Sequence, residues 1–298
     1  MRLDGIDHIT GITADGQRCL DFYAGILGLA FVGRDEDFEA PDSHLIRLGD
    51  RAGHSGGILT FIEAPGIARG RAGNGAAHLL RWTVGVPAAL DYWAERFSDA
   101  GIQAELLDRG GGDRRLRFTD PEGLGHELTV EPAARTTGLA LGSSAIPRQH
   151  AILRLAGVRA YGRSRVPSAD ILAGRLGFRV TGADSYAVGD GEHGSEFAFD
   201  PPPLDRGRLG AGTIHHVAWA ADGSLAAWRQ RVVGMGCVAT PAIDRGRWHS
   251  IYFREPSGVM FEIAAAAPVG DGDAVEAGPK ERRLSPRVDP RVRVAVHG

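Results

Sequence analysis

Residues 70–82 read GRAGNGAAHLLRW, and residues 207–219 read GRLGAGTIHHVAW. The two stretches align without a gap at an offset of 137 residues. A second pair, FTDPEGLGHEL at 118–128 and FREPSGVMFEI at 253–263, aligns at an offset of 135 residues. A nearly constant offset indicates an internal repeat. The chain is therefore predicted to consist of two homologous halves, residues 1–135 and 148–266.

Each half divides again into two units. CLDFYAGILGLAFV at 19–32 reads like SADILAGRLGFRV at 168–180, and AALDYWAERFSDAGI at 88–102 reads like GSLAAWRQRVVGMGC at 223–237. Each segment predicts a short amphipathic helix, and Gly28 and Gly177 fit the residue after a helix end. Four βαβββ units are therefore predicted, starting near residues 5, 77, 149 and 214, in an α+β fold. Residues 267–298 are polar and rich in Pro and Gly, which predicts a surface tail.

The composition limits the classes of function. The chain has 298 residues, 43% of them hydrophobic and 24% charged, as is typical of soluble globular proteins. Lys and Arg form no block before the tail, so no nucleic-acid partner is expected. The sequence contains no apolar run of transmembrane length, so no membrane span is expected. The N-terminus lacks the features of a signal peptide, and the two cysteines favour a reducing cytoplasm.

Four such units resemble the vicinal oxygen chelate superfamily, which includes glyoxalases, bleomycin-resistance proteins and extradiol dioxygenases. The pattern is most similar to the ring-cleaving dioxygenases of that superfamily that act on hydroquinones. The resemblance is carried by Asp7-His-Ile-Thr10, Leu20-Asp-Phe-Tyr23, residues 207–219 and DRGRWHSIYFREPSGVMFEI at 244–263. It implies two curled mixed sheets, with units one and four pairing around a metal ion.

The resemblance implies three metal ligands: His8 on the first strand, His216 on the first strand of unit four, and Glu262 on its last strand. Two histidines and one carboxylate are the ligand set of many non-haem Fe(II) oxygenases, which leaves positions on the metal open. Fe(II) is therefore implied, and Mn(II) stays possible because it accepts the same donors. Glu262 also stands out on physical grounds, because a carboxylate in an apolar strand is costly unless it is paired or metal-bound.

The repeat offers an internal comparison for this triad. The ungapped alignment pairs three residues of the first half with three of the second: His78 with His215, Leu79 with His216, and Glu127 with Glu262. In unit three, the implied register places Ala151 opposite His8, although a slip of one residue would aim His150 inward. The mirror site thus lacks both imidazoles and is predicted to hold no metal ion. Its glutamate, Glu127, could pair with an arginine such as Arg81.

Further residues are candidates for positions around the metal. The catalytic candidates are Tyr252, His215 and His249, and the candidates for substrate contact are Thr10, Asp7 and Arg245. Tyr252 is implied to hydrogen bond the substrate, and His249 could act as a general base. Asp7 stands where the family usually has a histidine. It could orient a neighbouring group, but it cannot donate a proton as an imidazolium.

The implied function is a non-haem Fe(II)-dependent ring-cleaving dioxygenase of the extradiol type. Its partners would be O₂ and a small hydroquinone- or catechol-like aromatic, and a homo-oligomer is possible. One alternative is a glyoxalase-type isomerase or lyase, whose sites commonly use four protein ligands and Zn(II) or Ni(II). Another is a non-catalytic protein of the same fold that binds a small molecule such as an antibiotic and lacks the metal triad. The three candidate ligands favour the dioxygenase over both alternatives.

Overall fold

The computed structural model of the chain describes residues 1–36, 43–49, 58–131, 145–162, 166–190, 194–205, 207–244 and 248–266. Arg245 and the tail at 267–298 lie outside the described residues, so both expectations for them stay predictions. The first half contains β1 (Leu3–Thr13), α1 (Gly16–Leu20) with a π-helical turn (Asp21–Ile26), β2 (Ala30–Glu36), β3 (His44–Gly49), β4 (Ile58–Glu63), β5 (Ala77–Val84), α2 (Ala88–Asp99), β6 (Ala104–Asp108), β7 (Arg114–Thr119) and β8 (Gly125–Val130). The second contains a 3₁₀ turn (Arg148–His150), β9 (Ile152–Tyr161), α3 (Val166–Gly174), β10 (Arg179–Gly182), β11 (Ser185–Val188), β12 (Ser195–Asp200), β13 (Thr213–Ala221), α4 (Leu225–Gly234), β14 (Ile243–Asp244), β15 (Trp248–Arg254) and β16 (Met260–Ala266).

These strands form two eight-stranded mixed sheets. The first has the order β14-β15-β16-β13-β1-β4-β3-β2, and the second has the order β10-β11-β12-β9-β5-β8-β7-β6. At their centres, β1 pairs antiparallel with β13, and β5 pairs antiparallel with β9. The predicted α+β class with two curled mixed sheets is therefore confirmed. Each sheet combines strands from both halves of the sequence.

The helices pack on the apolar faces of the sheets. α1 and its π-helical turn lie between the sheets, since Phe22 contacts Phe118 of the second sheet and Tyr23 contacts Phe61 of the first. α2 packs on β6, β7 and β8, and α4 packs on β15 and β16. No helix in the described ranges is long and apolar enough to cross a membrane. Side chains alternate along each strand, so the polar residues of the site point away from the helices.

Strand β1 has a bulge at Asp7. The flanking residues Ile6 and His8 pair with Trp219 and Ala218, which are consecutive on β13, so Asp7 has no partner on that strand. A bulge interrupts the two-residue alternation and redirects the side chains beside it. Two adjacent side chains of β1 can therefore approach each other.

Strand β9 carries the same bulge at Ala156. The two residues beside Ala156 pair with two residues of β5 that are equivalent, in the repeat, to Trp219 and Ala218 of β13. Gly157 is therefore the counterpart of His8 in the second sheet. The predicted register, which placed Ala151 opposite His8, is wrong because Ala151 precedes β9. His150 does not point inward from a strand either, because it ends the short helical turn before β9.

Candidate metal centre

Three side chains from three strands converge on the first sheet. β1 carries His8, β13 carries His216, and β16 carries Glu262. The Nε2 atoms of His216 and His8 lie 2.9 and 3.3 Å from Glu262 Oε2, and 3.4 Å from each other. All three residues are buried, with exposed fractions of 8% for His8, 7% for His216 and 0% for Glu262. The structure thus brings together the three residues that were predicted as metal ligands.

The donor atoms of this triad fit a divalent cation. Glu262 Oε2 is buried and has no hydrogen-bond partner among the described residues, although two imidazole nitrogens lie close to it. Such an oxygen is costly unless a cation lies beside it, and the three donor atoms all lie within 4.8 Å of one another. Ligand atoms bound about 2.1 Å from a metal at right angles are about 3 Å apart, close to the spacing here. Two imidazoles and one carboxylate oxygen suit a first-row metal that keeps open positions.

Each candidate histidine ligand is held through its other ring nitrogen by the residue before it. Asp7 Oδ1 lies 2.8 Å from His8 Nδ1, and His215 Nδ1 lies 2.8 Å from His216 Nδ1. A hydrogen bond at Nδ1 fixes the tautomer and directs the lone pair of Nε2 toward the centre. Asp7 was predicted to contact substrate, but its observed contact is with His8. This matches the expectation that it could orient a neighbouring group.

The charges of the triad depend on one another. Burial alone would lower the pKa of His8, but the Glu262 and Asp7 carboxylates outweigh burial and raise that pKa to about 10. Burial would raise the pKa of Glu262, but His8 and His216 hold it well below its usual value. Burial lowers the pKa of His215 to about 3, so its ring is neutral. Glu262 is therefore ionised, and the positive charge beside it is a proton on His8 or, when the site is loaded, a bound cation.

The other oxygen of Glu262 is held by Ser250, which the sequence analysis missed. Ser250 Oγ donates a hydrogen bond to Glu262 Oε1, so only Oε2 faces the two imidazoles. Ser250 is fully buried. The sequence does contain a signal for it, because Ser250 lies two residues before Tyr252 and alternate residues of a strand share a face.

Strand β15 separates the two predicted catalytic residues that it carries. Tyr252 pairs with Glu262 across the sheet, and its ring centre lies 5.3 Å from that of His216, so Tyr252 borders the triad. His249 lies three residues earlier, so the alternation directs it to the other face of the sheet. Its Nε2 lies 3.4 Å from a carboxylate oxygen of Asp244. The structure therefore does not bring His249 to the triad, and its role as a general base stays a prediction.

Two threonines lie beside the triad on the same face. Thr10 pairs with His216, and Thr60 on β4 pairs with Thr10. Both are buried. Thr60 pairs with Thr10, two residues after His8, and Glu262 pairs with Ala218, two residues after His216. Thr60 is therefore the positional counterpart of Glu262. The centre thus has a carboxylate on β16 and a hydroxyl on β4. Thr10 was predicted from the sequence, whereas Thr60 was not.

The second sheet carries ion pairs at the equivalent place. Glu127, the counterpart of Glu262, is fully buried. It contacts three guanidinium groups: Arg81 at 3.3 Å, Arg115 at 3.1 Å and Arg117 at 2.9 Å. The predicted pairing of Glu127 with Arg81 is confirmed. Burial would raise the pKa of Glu127, but Arg117 and the other two arginines lower it. Guanidinium groups therefore supply the positive charge that a metal ion would supply in the first sheet.

A family profile and several relatives of similar sequence agree on the superfamily of the chain. A family profile described as the Glyoxalase/Bleomycin resistance protein/Dioxygenase superfamily matches residues 5–128. MhqA and MhqO of Bacillus subtilis (strain 168), both provisionally named ring-cleaving dioxygenases, are each 30% identical to the chain. These alignments cover 90% and 89% of this chain and 89% and 85% of the two relatives. The chlorohydroquinone/hydroquinone 1,2-dioxygenase of Sphingobium indicum is 24% identical over 97% of this chain and 93% of its own.

Solved structures show the same similarity of fold. A crystallised protein of Bacillus subtilis subsp. subtilis str. 168, provisionally named a dioxygenase, matches with a TM-score of 0.79 and 28% identity. That match covers 90% of this chain and 86% of the other. Glyoxalase I of Zea mays matches with a TM-score of 0.64 and 15% identity, over 88% of this chain and 92% of its own, and this supports the fold alone.

Proposed function

Because the chain belongs to the glyoxalase/bleomycin resistance protein/dioxygenase superfamily, we propose that it is a non-haem Fe(II)-dependent ring-cleaving dioxygenase. The substrate class is a hydroquinone- or catechol-like aromatic, and both atoms of O₂ enter the product, as in extradiol cleavage. The buried set of two imidazoles and one carboxylate carries the proposal. The names of the relatives, ring-cleaving dioxygenases and a hydroquinone dioxygenase, support the same reaction class. Mn(II) is the alternative metal, since the same donors accept it.

Three residues would hold the metal ion: His8, His216 and Glu262. When bound, the ion supplies Lewis acidity to a phenol oxygen and the redox chemistry that O₂ requires. Ser250 occupies Oε1 of Glu262, so the carboxylate presents a single oxygen to the centre. This leaves room for small molecules beside the three protein ligands.

The chain's own side chains would orient the aromatic ring. Tyr252 borders the triad from β15, and its hydroxyl can donate a hydrogen bond to a substrate oxygen. Thr10 and Thr60 offer hydroxyls from β1 and β4, so polar groups flank the centre on two sides. His215 is proposed to act through His216, which it contacts. The near-complete burial of the ligands limits access of bulk water to the reacting groups.

A glyoxalase-type isomerase is the second candidate function, and Thr60 argues against it. A four-ligand site would be completed by a second carboxylate at the position related to Glu262, where this chain has a hydroxyl. A binding protein without a metal is disfavoured as well, because such proteins lack the set of two imidazoles and one carboxylate that converges here.

The proposal is tested by measuring oxygen uptake by the Fe(II)-loaded protein with a panel of substituted hydroquinones and catechols, under air and under nitrogen. We expect O₂ consumption that matches the amount of ring-opened product, no product under nitrogen, and loss of both on His216→Ala. Oxygen uptake that survives His216→Ala would contradict the proposal. Tightly bound Zn(II) with no oxygen consumption by the Fe(II)-loaded protein would favour the isomerase instead.

A further inference from the structure

The bulge at Asp7 brings a carboxylate to a histidine that strict alternation would keep apart. Asp7 and His8 are consecutive on β1, and in a regular strand their side chains would point to opposite faces. The bulge redirects them, and Asp7 Oδ1 lies 2.8 Å from His8 Nδ1. Asp7 retains some exposure, so its carboxylate lies between solvent and the buried ring.

The repeat provides a comparison within the same chain. β9 contains the same bulge, but Ala156 stands at the position of Asp7 and Gly157 at the position of His8. The bulge itself is therefore a feature of both sheets, whereas the carboxylate occurs only where the imidazole does. This differs from the residue before the other ligand, because His78 in the second sheet matches His215 although no imidazole follows it.

The two candidate ligands consequently have different partners. His8 hydrogen bonds to a carboxylate, which can only accept when ionised. The Nδ1 atom of His8 must then carry a proton, which leaves Nε2 as the ring nitrogen that can bind a metal ion. His216 instead faces the imidazole ring of His215, at the same distance of 2.8 Å. A carboxylate that accepts a hydrogen bond from a ligand imidazole makes that imidazole a stronger metal ligand than an uncharged partner would.

We propose that Asp7 is a positioning residue that fixes the tautomer of His8 and strengthens metal binding at His8, His216 and Glu262. Asp7 acts through His8 and does not touch the metal. This inference rests on the proposed function only in requiring a metal ion at the triad; it requires no particular substrate.

The experiment measures the affinity of the whole chain for Fe(II) under nitrogen, by competition with a chromophoric chelator. Such partners typically contribute 10–100-fold to metal affinity, so we expect Asp7→Ala to weaken Fe(II) binding by about that factor. Asp7→Asn retains an oxygen that can accept from Nδ1 but removes the charge, so its loss should be smaller, about threefold to tenfold. Asp4→Ala is the matched control, because Asp4 lies on the same strand and pairs at the surface with Arg2. It should bind Fe(II) like the unmodified chain.

A spectroscopic measurement separates positioning from loss of fold. The absorption bands of Co(II) in the site report ligand geometry, and we expect them to shift in Asp7→Ala, shift less in Asp7→Asn, and stay unchanged in Asp4→Ala. Affinities of both Asp7 variants within twofold of the unmodified chain would overturn the inference. If the unmodified chain itself bound neither metal at the triad, the proposed function would fail first, which distinguishes the two failures.

Discussion

Thr60 is the residue at which a single substitution should discriminate between the two candidate enzymes. It lies opposite Thr10 as Glu262 lies opposite Ala218, so a carboxylate there would face the centre from β4. We expect Thr60→Glu to add a fourth ligand, to tighten Zn(II) binding by at least about tenfold, and to abolish oxygen uptake because a position needed by small molecules is filled. Metal competition and an oxygen electrode provide the two measurements.

The matched variant is Thr60→Val, which removes only the hydroxyl. It should keep the metal affinity, and it should raise KM for the aromatic substrate by about fivefold to tenfold, the usual effect of one lost hydrogen bond. If Thr60→Glu instead retained both oxygen uptake and the original metal preference, Thr60 would not face the centre, and the argument against a four-ligand site would fail.

Among the secondary-structure elements, the ends of two helices were predictable from the sequence, but the register of strand β9 was not. The ends of the first and third helices were predictable because Gly28 and Gly177 adopt φ of 75° and 82°, which glycine tolerates best. The register of β9 was not predictable. Its bulge residue Ala156 is unpaired and interrupts the alternation, and Gly157 has no side chain to mark the position of His8.

The remaining differences at the site also concern strand geometry. Tyr252 and His249 are three residues apart on β15, so they lie on opposite faces of the sheet, and only Tyr252 borders the triad. Thr60 acquires its place only through pairing with Thr10, a contact between strands that are far apart in sequence. The triad itself was predictable from the resemblance. The alternation places Ser250 on the face of Tyr252, but its contact with Glu262 depends on the pairing of β15 with β16.

The equivalent strands β5 and β13 each bury a tryptophan, but only one of the two indoles has an acceptor. Trp82 Nε1 donates to His126 Nδ1 at 3.0 Å. Trp219 Nε1 is buried with no hydrogen-bond partner in the described part of the chain, and Phe261 stands at the repeat position of His126. Both Trp→Phe substitutions lose similar volume. Trp82→Phe also leaves a buried acceptor unpaired, which costs about 1–3 kcal/mol.

We therefore expect Trp82→Phe to lower the free energy of unfolding by about 1–3 kcal/mol more than Trp219→Phe does. Urea denaturation of the two variants, monitored by circular dichroism, gives this difference in free energy of unfolding. Each variant serves as the control for the other. Equal losses, or a larger loss at Trp219, would show that the hydrogen bond to His126 does not stabilise β5.

His126 links three elements through a directional chain of hydrogen bonds. Because an indole only donates, Nδ1 of His126 accepts from Trp82, and its Nε2 carries the hydrogen that faces Tyr23 Oη at 3.0 Å. Tyr23 Oη in turn donates to Asp120 Oδ2 at 3.0 Å. Burial lowers the pKa of His126 to about 3, so the ring is neutral in the folded chain.

This depressed pKa predicts a loss of stability in acid. The unfolded chain binds a proton at His126 below about pH 6.5, whereas the folded chain does so only near pH 3, so stability falls as the pH drops between these values. At pH 5 the loss should be about 2 kcal/mol. The stability advantage of the unmodified chain over His126→Gln, from urea denaturation at pH 7.5 and pH 5, should therefore shrink by about that amount. A difference that does not change with pH would contradict the prediction.

For the whole molecule, the two sheets have the same topology but balance a buried carboxylate in different ways. Glu262 faces two imidazoles that can hold a metal ion with it, whereas Glu127 already contacts three arginines. The second sheet is thus electrostatically complete without a metal ion. We therefore expect one metal ion per chain, and we expect the same substitution to change fold stability at Glu127 and metal binding at Glu262.

Glu127→Gln removes a buried anion and leaves its arginines without their central partner, so it should destabilise the fold by about 3–5 kcal/mol, with and without Fe(II), and leave the stoichiometry at one. Glu262→Gln should abolish the stabilisation that Fe(II) gives the unmodified chain, because binding to the folded state stabilises it by mass action. Urea denaturation under nitrogen, with Fe(II) or with a chelator, and metal analysis of each variant measure these effects. Two metal ions per unmodified chain, or metal loss on Glu127→Gln, would mean that the second sheet also binds metal and that its arginines do not replace the cation.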